Sequence, residues 1–169
     1  MRIVLVDGYN VVNSWPKLND IKDISFDSAR IDLIGSMKNY SSFTGDRVYL
    51  VFDAYLKMGS LEKEEQQGNV FIVFTKEGET ADSYIERFVN EKGRKNNLCV
   101  VTSDLMEQQL IFQRGAVRMS SLEFLQEVIK IEEEIKSIHN KKYIHSKNEL
   151  AINIDEETRE RLEEIRRSI

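Results

Sequence analysis

The chain has 169 residues, a formal net charge of −5 and a single cysteine. This length predicts one ordinary domain, and the composition, 41% hydrophobic and 31% charged, excludes collagen-like, low-complexity and disulfide-scaffold proteins. The acidic balance argues against a protein that coats nucleic acid by bulk charge. Because Cys99 allows no internal disulfide and residues 1–7 are too short an apolar stretch for a signal peptide, we expect a cytoplasmic protein without a membrane segment.

Short apolar runs alternate with helical patterns in the first hundred residues. The runs cover residues 3–6, 48–52, 70–74 and 98–101. Continuous apolar runs are typical of strands that are buried on both faces of a sheet. Apolar residues at helical spacing predict helices over 26–40 and from 81 to near Gly93. The alternation predicts an α/β fold with a doubly wound, mostly parallel sheet that is flanked by helices.

The rest of the chain continues this rhythm and then leaves it. We predict a helix over 104–115, a short strand over 116–119 and a long helix over 121–140. The polar stretch 57–69 lacks periodicity and indicates a mobile loop at the edge of the sheet. The predicted domain therefore covers 1–140, and 141–169 forms a basic linker followed by a C-terminal helix that Asp155 caps.

An acidic residue follows each of the four main predicted strands. These residues are Asp7, Asp53, Asp82, which lies at the mouth of the next helix, and Asp104. In a parallel sheet, ligands bind at the carboxyl ends of the strands, so we expect the acids to converge. Two carboxylates about 4 Å apart repel by about 4 kcal/mol at an effective dielectric near 20. Oxygen ligands without Cys or His favour Mg²⁺ or Mn²⁺, and we predict that Asp7, Asp82 and Asp104 hold such an ion, which can activate water against a phosphodiester.

The sequence lacks the motifs of other chemistries. Its two histidines, His139 and His145, lie near or beyond the end of the last predicted core helix, so catalysis by paired imidazoles is excluded from the sheet cleft. It contains no P-loop, nucleophile-elbow or dinucleotide-binding motif. Metal-assisted hydrolysis is the chemistry that the acidic residues favour.

Four short motifs resemble those of the NYN domains, which are relatives of the PIN nucleases. They are Asp7-Gly8-Tyr9-Asn10, Phe52-Asp53, Thr80-Ala81-Asp82 and Thr102-Ser103-Asp104. The similarity is greatest to the YacP-like branch and covers residues 1–140. It implies a PIN-like sheet, a divalent metal, and endonucleolytic cleavage of RNA, with messenger RNA on the ribosome as substrate.

The resemblance also implies roles for single residues. Asp7, Asp82 and Asp104 match the acidic metal site, with Asn10 beside it. Further candidates for the site are Asp53, Glu79, Thr80 and Ser103. Metal-assisted attack of water on phosphorus does not need the 2′-hydroxyl of the substrate. The predicted preference for RNA over DNA therefore depends on the resemblance.

Each candidate residue also has a structural interpretation. Asp104 and Thr80 are good helix caps, and Asp53 is equally compatible with a turn. The basic residues Lys92, Arg94 and Lys95 either form a solvated surface or contact phosphates.

Two other functions stay open at this point. One is an RNA-binding or ribosome-binding module whose acidic site is idle. The other is a receiver-like phosphoacceptor domain that uses Asp53, although such domains have an acidic pair after the first strand, where this chain has Asp7-Gly8.

Overall fold

The structure is a computed structural model that describes residues 1–53, 61–92, 97–103, 116–152 and 156–167. The chain divides into two compact units, residues 1–132 and residues 133–169. The first unit contains the sheet and the helices that cover it. No helix in the described ranges has the length and apolar character that crossing a membrane requires.

Six strands form one mixed, mostly parallel sheet. They are β1 (Ile3–Asp7), β2 (Arg47–Phe52), β3 (Lys63–Gln67), β4 (Val70–Phe74), β5 (Leu98–Val101) and β6 (Val117–Met119). Their order is β3-β4-β2-β1-β5-β6, and only the pairing of β3 with β4 is antiparallel within this sheet. The structure therefore confirms the predicted α/β class and the predicted parallel strands.

Six helices are described. They are α1 (Gly8–Ser14), α2 (Pro16–Ile24), α3 (Phe26–Thr44), α4 (Ala81–Lys92), α5 (Ser121–Ile152) and α6 (Glu156–Arg167). The helices predicted from 26, 81, 121 and after 155 are present, whereas the one predicted over 104–115 lies outside the described residues. Helices α3 and α4 contact the sheet through β2.

The end of α5 corrects one prediction. We expected the helix to end near Asn140 and a linker to follow, but the helix continues to Ile152. Residues 121–152 contain no Gly or Pro that would end a helix, and the Lys and Glu residues near the end of α5 are good helix formers. The change to a charged composition after residue 140 therefore did not mark the end of the helix. The division of domains at residue 140 stays a prediction.

Strand β3 corrects a second prediction. The stretch 57–69 was expected to be a mobile loop, but its part Lys63–Gln67 pairs with β4. Gly68 and Asn69 form a two-residue turn between the strands, and Gly68 has φ +66°, which glycine adopts without strain. An edge strand is solvated, so β3 carries polar residues on both faces and lacks the alternation that predicts strands. Residues 54–60 lie outside the described part of the chain.

The core lies on both faces of the central strands. Leu5, Val51 and Val100 point to the face that packs against Ile85 of α4. Alternate residues of the same strands, including the fully buried Cys99, point to the opposite face. Burial raises the pKa of the Cys99 thiol to about 11, which agrees with the role of a small core residue.

Candidate active site

The strand order creates a crevice at one edge of the sheet. Strands β2 and β4 lie on one side of β1, and β5 and β6 lie on its other side. The order reverses between β1 and β5, which is where open α/β sheets bind ligands at the carboxyl ends of their strands. Asp7 is the last residue of β1, and Ser103 follows β5 by two residues.

Asp7 is the central acid of this crevice. It is the N-cap of α1, and its Oδ1 accepts a hydrogen bond from the backbone N–H of Asn10 at 3.0 Å. Burial raises the pKa of Asp7 to about 6, although the N–H groups of Asn10 and Tyr9 lower it. The negative charges of Asp82 and Asp53 contribute to this raised pKa. The structure thus brings Asp82 and Asp53 within electrostatic reach of Asp7, and a pKa perturbed by such neighbours is typical of functional sites.

Asp53 and Thr80 hold the start of α4. The carboxylate of Asp53 accepts a hydrogen bond from the backbone N–H of Ala81, the first residue of the helix. Thr80 Oγ1 accepts one from the N–H of Ser83 at 3.2 Å. Together they fix the first turn of α4, where Asp82 lies exposed. The capping interpretation of Thr80 is therefore confirmed, and Asp53 connects β2 to the helix that carries Asp82.

Gly8 permits a close contact beside these acids. A Cβ atom at this position would lie 2.3 Å from the ring of Phe52, the residue before Asp53. Only glycine allows the start of α1 to approach the end of β2 this closely, and the contact keeps Asp7 near Asp53.

We predict that Gly8→Ala destabilises the protein by about 1–3 kcal/mol, because the added methyl group must displace the Phe52 ring. Thermal unfolding measures the change. Gly35→Ala is the matched control: it lies inside α3 with nothing within 4 Å of the added atom, so alanine there should be neutral or stabilising. Equal melting temperatures for the two variants would contradict the prediction.

Asn10 connects three segments behind Asp7. Its Oδ1 accepts hydrogen bonds from the N–H of Ser103 at 3.2 Å, from the hydroxyl of Ser121, and from Ser14 Oγ at 3.5 Å. Ser103 Oγ in turn accepts a bond from the N–H of Ser121 at 3.4 Å. Ser121 was not among the predicted site residues. Its position two residues after the short strand β6, at the same edge as the acids, is the feature that points to it.

Other predicted residues are engaged elsewhere or lie outside the description. The Glu79 carboxylate pairs with Arg87 Nε at 3.0 Å, and Arg87 also pairs with Glu62 at 2.7 Å. Lys92 Nζ lies 4.5 Å from the ring centroid of Phe88. Three of the predicted site residues lie outside the described part of the chain: Asp104, Arg94 and Lys95.

Two aromatic residues near the crevice contribute to packing. Tyr9 stacks on Phe26 with ring centroids 4.8 Å apart. The indole of Trp15 is 4% exposed, and its Nε1 donates a hydrogen bond to the carbonyl of Ser121 at 2.8 Å. These contacts give both aromatic residues a packing role.

The acids of the crevice suit a hard divalent cation. Within the described ranges, no group of three or more His, Cys, Asp or Glu side chains is arranged to hold a metal. Asp104, the third predicted ligand, lies outside these ranges. Asp7, Asp53 and Asp82 nevertheless offer only carboxylate oxygens, and the pKa of Asp7 shows that their charges repel. A cation beside Asp7 would relieve that repulsion, and carboxylate oxygens are the donors that Mg²⁺ and Mn²⁺ prefer.

Comparisons with known proteins agree on one family. A family profile described as YacP-like NYN domain matches residues 4–167, which extends the similarity beyond the 1–140 covered by the motifs. Protein YacP of Bacillus subtilis (strain 168) is 48% identical over 136 residues, which are 80% of this chain and 79% of that protein.

Two crystal structures of Rae1 (YacP) from Bacillus subtilis have similar folds. One matches with a TM-score of 0.71 and 43% identity, covering 99% of this chain and 95% of the other. The structure of a mutant matches with a TM-score of 0.70 and 43% identity, covering 82% and 81%.

Proposed function

The chain belongs to the YacP-like NYN domain family, within the PIN-like nuclease superfamily, and from this premise we propose that it is a metal-dependent endoribonuclease. One observation carries the proposal. Asp7, at the strand-order reversal, has a pKa raised by its burial and by the charges of Asp82 and Asp53. Such a cluster of acids is costly to the fold, and cation binding for phosphodiester hydrolysis gives it a use.

Each residue of the site has a role in this proposal. Asp7, Asp82 and Asp104 would hold Mg²⁺ or Mn²⁺, and Asp53 and Thr80 position the helix that carries Asp82. When bound, the ion supplies Lewis acidity that neutralises charge growing on the phosphate. Water attack on phosphorus with departure of O3′ leaves a 5′-phosphate and a 3′-hydroxyl.

The proposed substrate is RNA, specifically messenger RNA on the ribosome, in the cytoplasm. The family supports RNA. The net charge of −5 supports recognition through local contacts, because bulk attraction to a polyanion is unfavourable. We propose that Lys92, Arg94 and Lys95 contact phosphates and that Glu79, whose carboxylate pairs with Arg87, lies near enough to tune the site.

Cleavage of labelled RNA with and without chelator tests the proposal. We expect endonucleolytic products with Mg²⁺ or Mn²⁺, loss of cleavage in EDTA, recovery when Mn²⁺ is added in excess, and 5′-phosphate ends. A DNA strand of the same sequence tests whether cleavage requires ribose. Cleavage of the same RNA alone, with vacant ribosomes and on translating ribosomes tests whether the ribosome presents the substrate. Cleavage that persists in EDTA would refute the metal mechanism. Ribosome binding without any cleavage would favour a binding module.

A further inference from the structure

Ser121 lies behind the proposed site and uses all its polar groups. It is fully buried, and it is the first residue of α5. Its carbonyl accepts the indole N–H of Trp15 at 2.8 Å, and its backbone N–H donates to Ser103 Oγ at 3.4 Å. Its hydroxyl donates to Oδ1 of Asn10. The first two bonds use the backbone of Ser121, and the bond to Asn10 uses its side chain.

The bonds around Asn10 determine which way its amide faces. Oδ1 receives the hydroxyl of Ser121 and the N–H of Ser103 at 3.2 Å, with Ser14 Oγ at 3.5 Å. An amide oxygen has two lone pairs, and the bonds from Ser121 and Ser103, which are shorter than the contact with Ser14, occupy both. A flipped amide would place its NH₂ group against the backbone N–H of Ser103, which is unfavourable because both groups can only donate. The oxygen is therefore unsuited to a cation, and the NH₂ group is the part of the side chain that can serve a ligand.

We propose that Ser121 is a positioning residue that orients Asn10 as a hydrogen-bond donor toward a phosphodiester oxygen of the substrate. The proposal rests on the nuclease function proposed above, which it deepens by assigning Asn10 to the substrate and not to the metal. A donor that is held in place without rearrangement contributes most where charge develops on the phosphate.

The start of α5 does not need the hydroxyl of Ser121. The preceding residue, Ser120, accepts the N–H of Glu123 at 3.2 Å through its Oγ, and Glu123 Oε2 accepts the N–H of Ser120 at 2.7 Å. This reciprocal pair is a capping box that satisfies the helix terminus. Ser120 and Ser121 are thus neighbours with separate tasks, which makes Ser120→Ala a matched control.

Single-turnover kinetics separate positioning from folding. We expect Ser121→Ala to slow RNA cleavage by about 10- to 100-fold while RNA affinity changes little, because a misplaced donor affects the transition state more than binding. Ser120→Ala should lower the melting temperature and leave the cleavage rate near that of the unmodified protein. Asn10→Asp keeps the accepting oxygens and removes the NH₂ group, so it should slow cleavage as well. Adding Ser121→Ala to Asn10→Asp should then have little further effect.

Side-chain amide NMR tests the orientation without activity. The ¹⁵N-labelled protein should show one sharp pair of Asn10 NH₂ signals, and Ser121→Ala should broaden or double them, whereas Ser120→Ala should not. If the unmodified protein cleaves no RNA, the nuclease proposal fails while this measurement still tests the positioning. Unchanged Asn10 signals in Ser121→Ala would overturn the positioning role, whatever the rate, and so would cleavage at the unmodified rate.

Discussion

Asp7→Asn is expected to abolish RNA cleavage and, at the same time, to make the metal-free protein more stable. The loss of activity follows from removing the acid at the centre of the crevice. Charge stabilisation by a bound cation contributes several kcal/mol to phosphodiester hydrolysis, and a loss of about 4 kcal/mol corresponds to about 1000-fold in rate. The asparagine keeps an oxygen that can accept the N–H of Asn10, so the cap of α1 persists.

The gain in stability follows from the sign of the pKa shift. Burial and the neighbouring acids raise the pKa of Asp7 from 3.8 to about 6, so the folded state disfavours the ionised form. The unfolded chain releases this proton more readily, and folded stability therefore falls as pH rises from about 4 through about 6. At neutral pH the ionised group costs ~3 kcal/mol, which the neutral asparagine avoids.

Thermal unfolding in EDTA at about pH 7.5 and about pH 4.5 measures this difference. Asp7→Asn should melt higher than the unmodified protein at the upper pH and at a similar temperature at the lower pH. Mg²⁺ should raise the melting temperature of the unmodified protein more than that of the variant. Asp32→Asn, which removes an exposed carboxylate paired with Lys17, is the control for a change of charge alone. A variant that is less stable at both pH values would show that Asp7 is a structural acid.

The sequence predicted that these acids lie near one another because the carboxyl ends of parallel strands share one edge of the sheet. Asp7 is the last residue of β1 and Asp53 directly follows β2, so buried runs with an acid at their end were enough to place them together. Asp82 follows the same logic, since Asp53 holds the start of its helix. The predicted ligand set with Asp104 stays a prediction.

The features that were missed depend on contacts between distant segments. Ser121 carries no charge, and its position after a strand of three residues does not distinguish it from its neighbours. The pairing of the Glu79 carboxylate with Arg87 was not predicted, and the expected place of Glu79 near the metal site stays a prediction. Strand β3 depends on pairing with β4, which its polar sequence does not reveal. In each case a partner far away in the chain or across a turn determines the structure.

A network of hydrogen bonds and ion pairs at the amino ends of the parallel strands stabilises the fold and does not contact the site. Arg2 precedes β1, and its guanidinium donates hydrogen bonds to Asp46 at 3.2 Å, to Tyr40 and to Glu127. Asp46 also accepts the backbone N–H of Arg2 at 2.8 Å, and the Tyr40 hydroxyl donates to Glu127 at 2.6 Å. The Arg2 side chain is 24% exposed and that of Asp46 12%, so water screens these charges poorly. The five residues of β1 place the network about 16 Å from Asp7.

Arg2→Met is therefore expected to lower the free energy of unfolding by about 3 kcal/mol, because it leaves two carboxylates half-buried without their cation. Denaturant unfolding measures the loss, and Arg2→Lys, which retains a charge but not the planar fork, should lose less. Adding Glu127→Met to Arg2→Met should recover part of the stability, since the penalty comes from an uncompensated charge and not from lost attraction. The RNA cleavage rate of the folded variants should stay unchanged, in contrast with Asp7→Asn. A double variant that is no more stable than Arg2→Met would contradict this account, and a slowed reaction would show that the two edges of the sheet are coupled.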